Sequence, residues 1–188
     1  MIDQRLQQQK NYGRAMQSYV MMLYEFVLEY KPKKMLELGT QNGQSTKTIL
    51  MAMNESKFGK LISIDHKRRH EILDAEYPDL KPYWVFIKGN THLPESMQAA
   101  KDALEGDEFY DMIFIDAGHK YPDIKQDWED YVPLVKPGGI ILLHDTINQN
   151  EGIKDFWPEI TWEKFNITWG RARNSVIPGF GIVRKPKE

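Results

Sequence analysis

The chain contains no cysteine among its 188 residues. That excludes a disulfide framework, a Cys-based zinc site and a thiol nucleophile. It also lacks an excess of either charge: 25 Lys and Arg stand against 27 Asp and Glu, a formal net charge of −2. A dedicated nucleic-acid binder carries a clear basic excess, so no nucleic-acid partner is expected. No apolar run approaches the ~20 residues that cross a bilayer. The opening stretch MIDQRLQQQK is polar and does not read as a signal peptide. The expectation is a cytoplasmic protein with no membrane partner. Internal repeats, low-complexity tracts and Ser/Gly-rich linkers are also missing. At roughly 100–200 residues per domain, the length suits one domain that buries its core without staples. No pattern sets an oligomeric state, and a homo-oligomer is compatible with the chain.

What is present is an alternation of strands and helices. Met16, Val20, Leu23, Val27 and Tyr30 recur at helical spacing over Arg14 to Tyr30. Lys31-Pro32 ends that helix, because the residue before proline disfavours the helical region. This N-terminal helical segment, 1–32, precedes a regular series in 33–188. Strands are predicted at Lys34 to Leu38, Leu61 to Asp65, Trp84 to Lys88, Tyr110 to Asp116 and Gly139 to His144. Helices are predicted at Gln44 to Met53, Lys67 to Glu76, Pro94 to Leu104 and Asp123 to Val135. Two tail strands, within Thr161 to Trp169 and Ser175 to Arg184, have no obvious helix between them and suggest an antiparallel edge hairpin. Continuous apolar strands separated by helices imply an α/β fold, a mostly parallel seven-stranded sheet with helices on both faces.

Ligands of such sheets bind beyond the carboxyl ends of the strands. Here those positions hold Glu37, Asp65, Asn90, Asp116, His119, His144 and Asp145. The first strand runs into Glu37-Leu38-Gly39-Thr40-Gln41-Asn42-Gly43, and a helix follows. Gly39 lets a ligand approach the main chain, and Gly43 precedes free helical N–H groups. The pattern E-x-G-x-x-x-G departs from the G-x-G-x-x-G of dinucleotide sites. It suits a ligand with a carboxylate and an amine, to which Ser45 adds a hydroxyl donor. Asp65, about twenty residues on, sits where a carboxylate accepts ribose hydroxyls. Asn90 can bond an adenine edge. Each has a plainer reading: a strand–helix turn, an N-cap at Asp65, a turn residue at Asn90.

Together with Asp116 and Lys136-Pro137-Gly138-Gly139 before the fifth strand, these motifs resemble a class I S-adenosylmethionine-dependent methyltransferase over Lys33 to Thr146. The resemblance implies the Rossmann-like fold of that class and S-adenosylmethionine as cofactor. The cofactor-binding set is then Glu37, Gly39, Thr40, Gly43, Ser45, Asp65, His66, Asn90 and Asp116. The Asn/Asp-Pro-Pro-Tyr sequence of base-amino methyltransferases is missing after strand four.

Strand four ends in Asp116-Ala117-Gly118-His119, and strand five in His144-Asp145-Thr146. Two carboxylates with imidazoles around one cleft suit a divalent cation. Carboxylates favour Mg²⁺, Mn²⁺ or Ca²⁺, and an imidazole shifts the preference toward Mn²⁺, Fe²⁺ or Zn²⁺. The expected metal set is Asp116, Asp145 and His144, holding Mg²⁺ or Mn²⁺. A metal lowers the pKa of a hydroxyl and fixes it in line with the methyl. His119 supplies an imidazole, the side chain suited to proton transfer near neutral pH. The arrangement resembles metal-dependent small-molecule O-methyltransferases, the macrolide-sugar O-methyltransferase and cephalosporin-hydroxylase-like group. Some members carry a catalytic His three residues after the strand-four Asp, which corresponds to Asp116 and His119 here. That implies a small-molecule hydroxyl acceptor, a sugar or natural product. The chain departs from the group at strand five, with His144-Asp145 in place of two acids or Asp-Asn.

Plainer readings exist here too: a surface loop histidine at His119, a packed strand-end histidine at His144, a helix cap at Asp145. Lys67, Arg68, Arg69 and His70 read as a solvated helix face. Trp157, Trp162, Phe165 and Trp169 read as packing for the last strands, and Arg171 and Arg173 as a solvated loop. Tyr12, Arg14 and Met16 are candidates to reach the substrate from the N-terminal segment. The competing functions are a metal-independent methyltransferase, an NAD-linked oxidoreductase using Asp65, and a non-catalytic cofactor-binding module.

Overall fold

The computed structural model describes residues 19–67, 77–147, 152–168 and 179–188. The expectations for Tyr12, Arg14, Met16, Arg68, Arg69, His70, Trp169, Arg171 and Arg173, and for the helix over Lys67 to Glu76 beyond its first residue, lie outside the described residues.

The first described helix, α1 (Val20–Tyr30), ends at Lys31, which takes a left-handed conformation (φ 51°) and donates its N–H to the Val27 carbonyl at 3.0 Å. Strand β1 (Lys34–Leu38) leads through the glycine turn into α2 (Gln44–Ser56), one turn longer than its pattern predicts. Then come β2 (Lys60–Asp65), a 3₁₀ turn at Pro78–Tyr83, β3 (Trp84–Lys88) and α3 (Pro94–Asp102). Next are β4 (Tyr110–Ile115) and α4 (Tyr121–Tyr131). Helix α4 begins two residues before the predicted start, because Pro122 fits a first helical turn. It gives way to a 3₁₀ turn at Val132–Leu134.

Strand β5 (Val135–His144) starts four residues before its predicted beginning. Tyr110 pairs with Val135, then the register jumps so that Met112 pairs with Ile140. The extra residues form an irregularity around Gly138, whose φ of 75° suits glycine. The last elements are the short α5 (Ile153–Phe156), a 3₁₀ turn at Trp157–Glu159, β6 (Lys164–Ile167) and β7 (Phe180–Arg184).

Among the described residues the strands form one seven-stranded sheet in the order β3-β2-β1-β4-β5-β7-β6. Strands β1 to β5 pair in parallel, while β7 is antiparallel to both β5 and β6. Alternate residues of each strand face opposite layers. Met35, Leu61, Met112, Phe114 and Leu142 join the α1 and α2 side, where Ile49, Leu50 and Met53 are buried as predicted. Leu36, Ile62, Ile113, Ile141 and Val183 join Ile124, Tyr131 and Phe156 on the other. The last aromatic residues divide. Trp162 stacks obliquely on Trp128 at 5.4 Å between centroids, and Trp157 lies against Gly181. Phe165 corrects its expected packing role: it stands 61% exposed on the edge strand β6.

Candidate functional site

The sheet order reverses between β1 and β4, so the C-terminal ends of β2, β1, β4 and β5 open onto one side. The turn after β1 is built on glycine. Gly39 has φ 85°, and a Cβ there would stand 2.3 Å from the Asp116 carbonyl. The β1 turn and the β4 end are therefore in van der Waals contact. Gly43, at φ 76°, occupies the N-cap of α2.

Asp65 closes the other side of this turn. Its Oδ2 accepts the Thr40 N–H at 2.8 Å, the Thr40 hydroxyl at 3.0 Å and the Gln41 N–H at 2.9 Å. Its Oδ1 accepts the Lys67 N–H at 2.9 Å and lies 3.2 Å from His66 Nδ1. Burial works to raise the Asp65 pKa, but these backbone and hydroxyl donors together hold it below its ordinary value. Asn90 is exposed, and its Oδ1 accepts the His92 N–H at 3.0 Å.

Glu37 is fully buried on the α2 side of β1. Its Oε1 accepts the Ser45 hydroxyl at 2.6 Å, and its Oε2 accepts those of Thr46 at 2.8 Å and Ser63 at 2.6 Å. Burial raises its carboxyl to about 7; the three hydroxyls restrain the rise and the Asp116 charge adds to it. The Ser45 hydroxyl, expected to face a ligand carboxylate, is thus engaged with Glu37. Ser63 and Thr46 are hydrogen-bond partners of Glu37 that the linear reading missed. Ser63 sits opposite Glu37 and shares its face, a pairing fixed only once β1 and β2 are aligned.

The expected cation ligands converge. One ligand atom from each of Asp116, His144 and Asp145 lies within 4.8 Å of the others. His144 Nδ1 stands 3.3 Å from Asp116 Oδ1 and 3.3 Å from Asp145 Oδ2, yet it completes no hydrogen bond with either. The His144 side chain is only 4% exposed. Burial acts to lower its pKa, but the two carboxylates prevail and raise it to about 10. Asp145 is held at φ 60°, a left-handed conformation uncommon outside glycine. The orphaned Nδ1, aimed between two carboxylates, is a donor set that fits a divalent cation.

His119 is exposed beside this cluster. It lines a cavity of about 10 Å³ together with Asp116, Gly118 and His144, room for the centre of one water or ion. Its carbonyl accepts the Gly152 N–H at 2.7 Å, so the start of α5 braces the His119 loop. A further residue, Tyr19, is fully buried with its ring edge-on to His144 at 6.0 Å and stacked on Phe180 at 5.5 Å. The N-terminal segment thus reaches the site from beneath, at a position its helical pattern did not single out.

A model of the methyltransferase domain family matches residues 36–146, more than half of the chain. Among solved structures, an O-methyltransferase from Bacillus cereus in complex with SAH superposes with a TM-score of 0.73 at 18% identity, covering 98% of this chain and 92% of that one. An O-methyltransferase from Streptomyces achromogenes involved in tomaymycin synthesis, in complex with SAM, gives 0.64 at 16% identity, covering 98% and 91%. Likeness at these identities establishes the fold. An uncharacterized protein of Sinorhizobium fredii (strain NBRC 101917 / NGR234) is 29% identical over 77 residues, which is 40% of this chain and 8% of that protein. The chain therefore spans a small part of the length of that curated relative.

Proposed function

The chain belongs to the methyltransferase domain family, and on that premise we propose that it transfers the methyl group of S-adenosylmethionine to a hydroxyl of a small molecule, a sugar or natural product, with help from a divalent cation. The observation that carries this reading is the Asp116–His144–Asp145 cluster, with its Nδ1 buried between two carboxylates, next to the Gly39 turn.

S-adenosylmethionine supplies a methyl group on a sulfonium, an electrophile that needs an aligned oxygen nucleophile. A divalent cation in the cluster would lower the pKa of an acceptor hydroxyl and hold it in place. Asp116, Asp145 and His144 are the residues to hold that cation, and the imidazole favours Mn²⁺ over Mg²⁺. In this reading the Gly39–Gly43 turn and Glu37 would hold the methionine end, Asp65 with His66 beside it the ribose, and Asn90 the adenine. Taking the ribose hydroxyls requires Asp65 to share oxygens now bonded to Thr40, Gln41 and Lys67. His119 would accept the hydroxyl proton as the C–O bond forms, the S–C bond breaking with S-adenosylhomocysteine as the leaving group.

Calorimetric titration with S-adenosylmethionine, with and without Mn²⁺ or Mg²⁺ and with NAD⁺ as control, tests the proposal. Micromolar binding of S-adenosylmethionine is expected, with a separate saturable Mn²⁺ signal lost in Asp116→Ala. Binding of NAD⁺ in its place would overturn the cofactor assignment. A metal-independent transferase is the second reading. It is favoured by the raised pKa of His144: a protonated imidazole 3.3 Å from each carboxylate offsets part of their charge without a cation. Methyl transfer that withstands a chelator would decide for it.

A further inference from the structure

Asp127 lies midway along α4, fully buried on the face that also carries Ile124 and Tyr131. A carboxylate in such a place persists only with polar or charged company. Its company is the Thr91 hydroxyl, the His92 imidazole and the Gly118 N–H. His92 Nε2 stands 3.4 Å from Oδ1. Neither oxygen of Asp127, nor that Nε2, reaches full hydrogen-bond geometry, so the two side chains are held together by proximity. One turn along α4, the Tyr131 hydroxyl donates to the Thr91 carbonyl at 2.7 Å.

These neighbours come from two separate loops. Thr91 and His92 follow Asn90 in the loop leaving β3. Gly118 stands between Asp116 and His119 in the loop leaving β4. Gly118 is pressed on α4 so closely that a Cβ would meet the Asp123 Cβ at 2.4 Å. One carboxylate on one helix therefore touches both loops that flank the site.

We infer that Asp127 and His92 form a positioning pair, tying the β3 loop on the adenine side to the β4 loop that carries Asp116 and His119. The pair touches no reacting atom. It sets the distance between the two ends of the cofactor cleft, and it rests on the cofactor reading above.

Titration of the full chain with S-adenosylmethionine, alongside thermal melts, tests this. Asp127→Asn and His92→Leu are each expected to weaken binding about tenfold. The double variant should be no weaker than the weaker single, because the same contact is lost once. His92→Gln keeps an amide donor at similar reach and should recover most of the affinity. If Asp127→Asn does not fold, His92→Leu decides, since His92 is 25% exposed and tolerates replacement. Wild-type affinity in a folded His92→Leu variant would overturn the inference and leave the cofactor reading intact. Failure of the unaltered chain to bind S-adenosylmethionine would overturn both.

Discussion

Glu37 and His119 occupy opposite extremes of environment within one site, and each makes a separate prediction. The Glu37 carboxyl is raised to about 7 from an ordinary 4.5, first by burial. Between those values the folded chain holds a proton that the unfolded chain has lost. The native state then binds more protons, so this group's contribution to stability is greatest below pH 4.5 and declines as pH rises to 7. Melts at pH 5 and pH 7.5 should show a smaller decline for Glu37→Gln than for the unaltered protein. Equal declines would mean that Glu37 is ionised throughout. His119 is exposed and contributes little to the core, so His119→Ala should fold normally. We expect turnover to drop about 10²–10⁴-fold, as for loss of a general base, with S-adenosylmethionine affinity changed less than about twofold. Comparing kcat with calorimetric affinity checks this. At this scale the candidate residues were legible because reactive side chains cluster at predicted strand ends. The bonds of Glu37 to Thr46 and Ser63 were not. They depend on the rotation of α2 about its axis and on the β1–β2 register, which hydrophobic periodicity leaves undetermined.

At the scale of elements, strands β1 and β3 were predicted residue for residue, because short apolar runs bounded by glycine or proline have few alternatives. The start of β5 was not, since Lys136-Pro137-Gly138 reads as a turn and becomes a strand irregularity only once β4 lies alongside it. Helix α4 concealed Asp127: a charged residue within a helical pattern is assigned to the solvent side until the β3 loop is seen to cover it. Helix α1 is the element with most at stake. Val20, Leu23 and Val27 are at most 2% exposed and belong to the same core as α2. Burial of each such side chain contributes about 1.5–3 kcal/mol, against a total stability of about 5–15 kcal/mol for a typical domain. Removal of residues 1–32 should therefore abolish the cooperative thermal transition seen by circular dichroism. A truncated chain that melts like the full one would show that α1 is dispensable.

At the scale of the molecule, the site draws on β1, β2, β4 and β5 at once, so a ligand bound there bridges elements far apart along the chain. Binding to the folded state alone raises stability by mass action, about 2.7 kcal/mol at a ligand concentration one hundred times the Kd. S-adenosylmethionine and Mn²⁺ should each raise the melting temperature, by about 5–10 °C at that excess. The Mn²⁺ increment should disappear in Asp145→Ala while the S-adenosylmethionine increment remains. By itself the sequence determined the alternation of strands and helices, the parallel sheet that follows from it, and the reactive residues at the strand ends. These are local matters: apolar period, proline and glycine positions, and the chemistry of single side chains. Only the tertiary structure decided that Asp116, His144 and Asp145 share one point, that Tyr19 lies against His144, and that Asp127 spans two loops. Each of these joins residues separated along the chain, and their distance is set by register, helix rotation and packing, for which no local pattern carries the information.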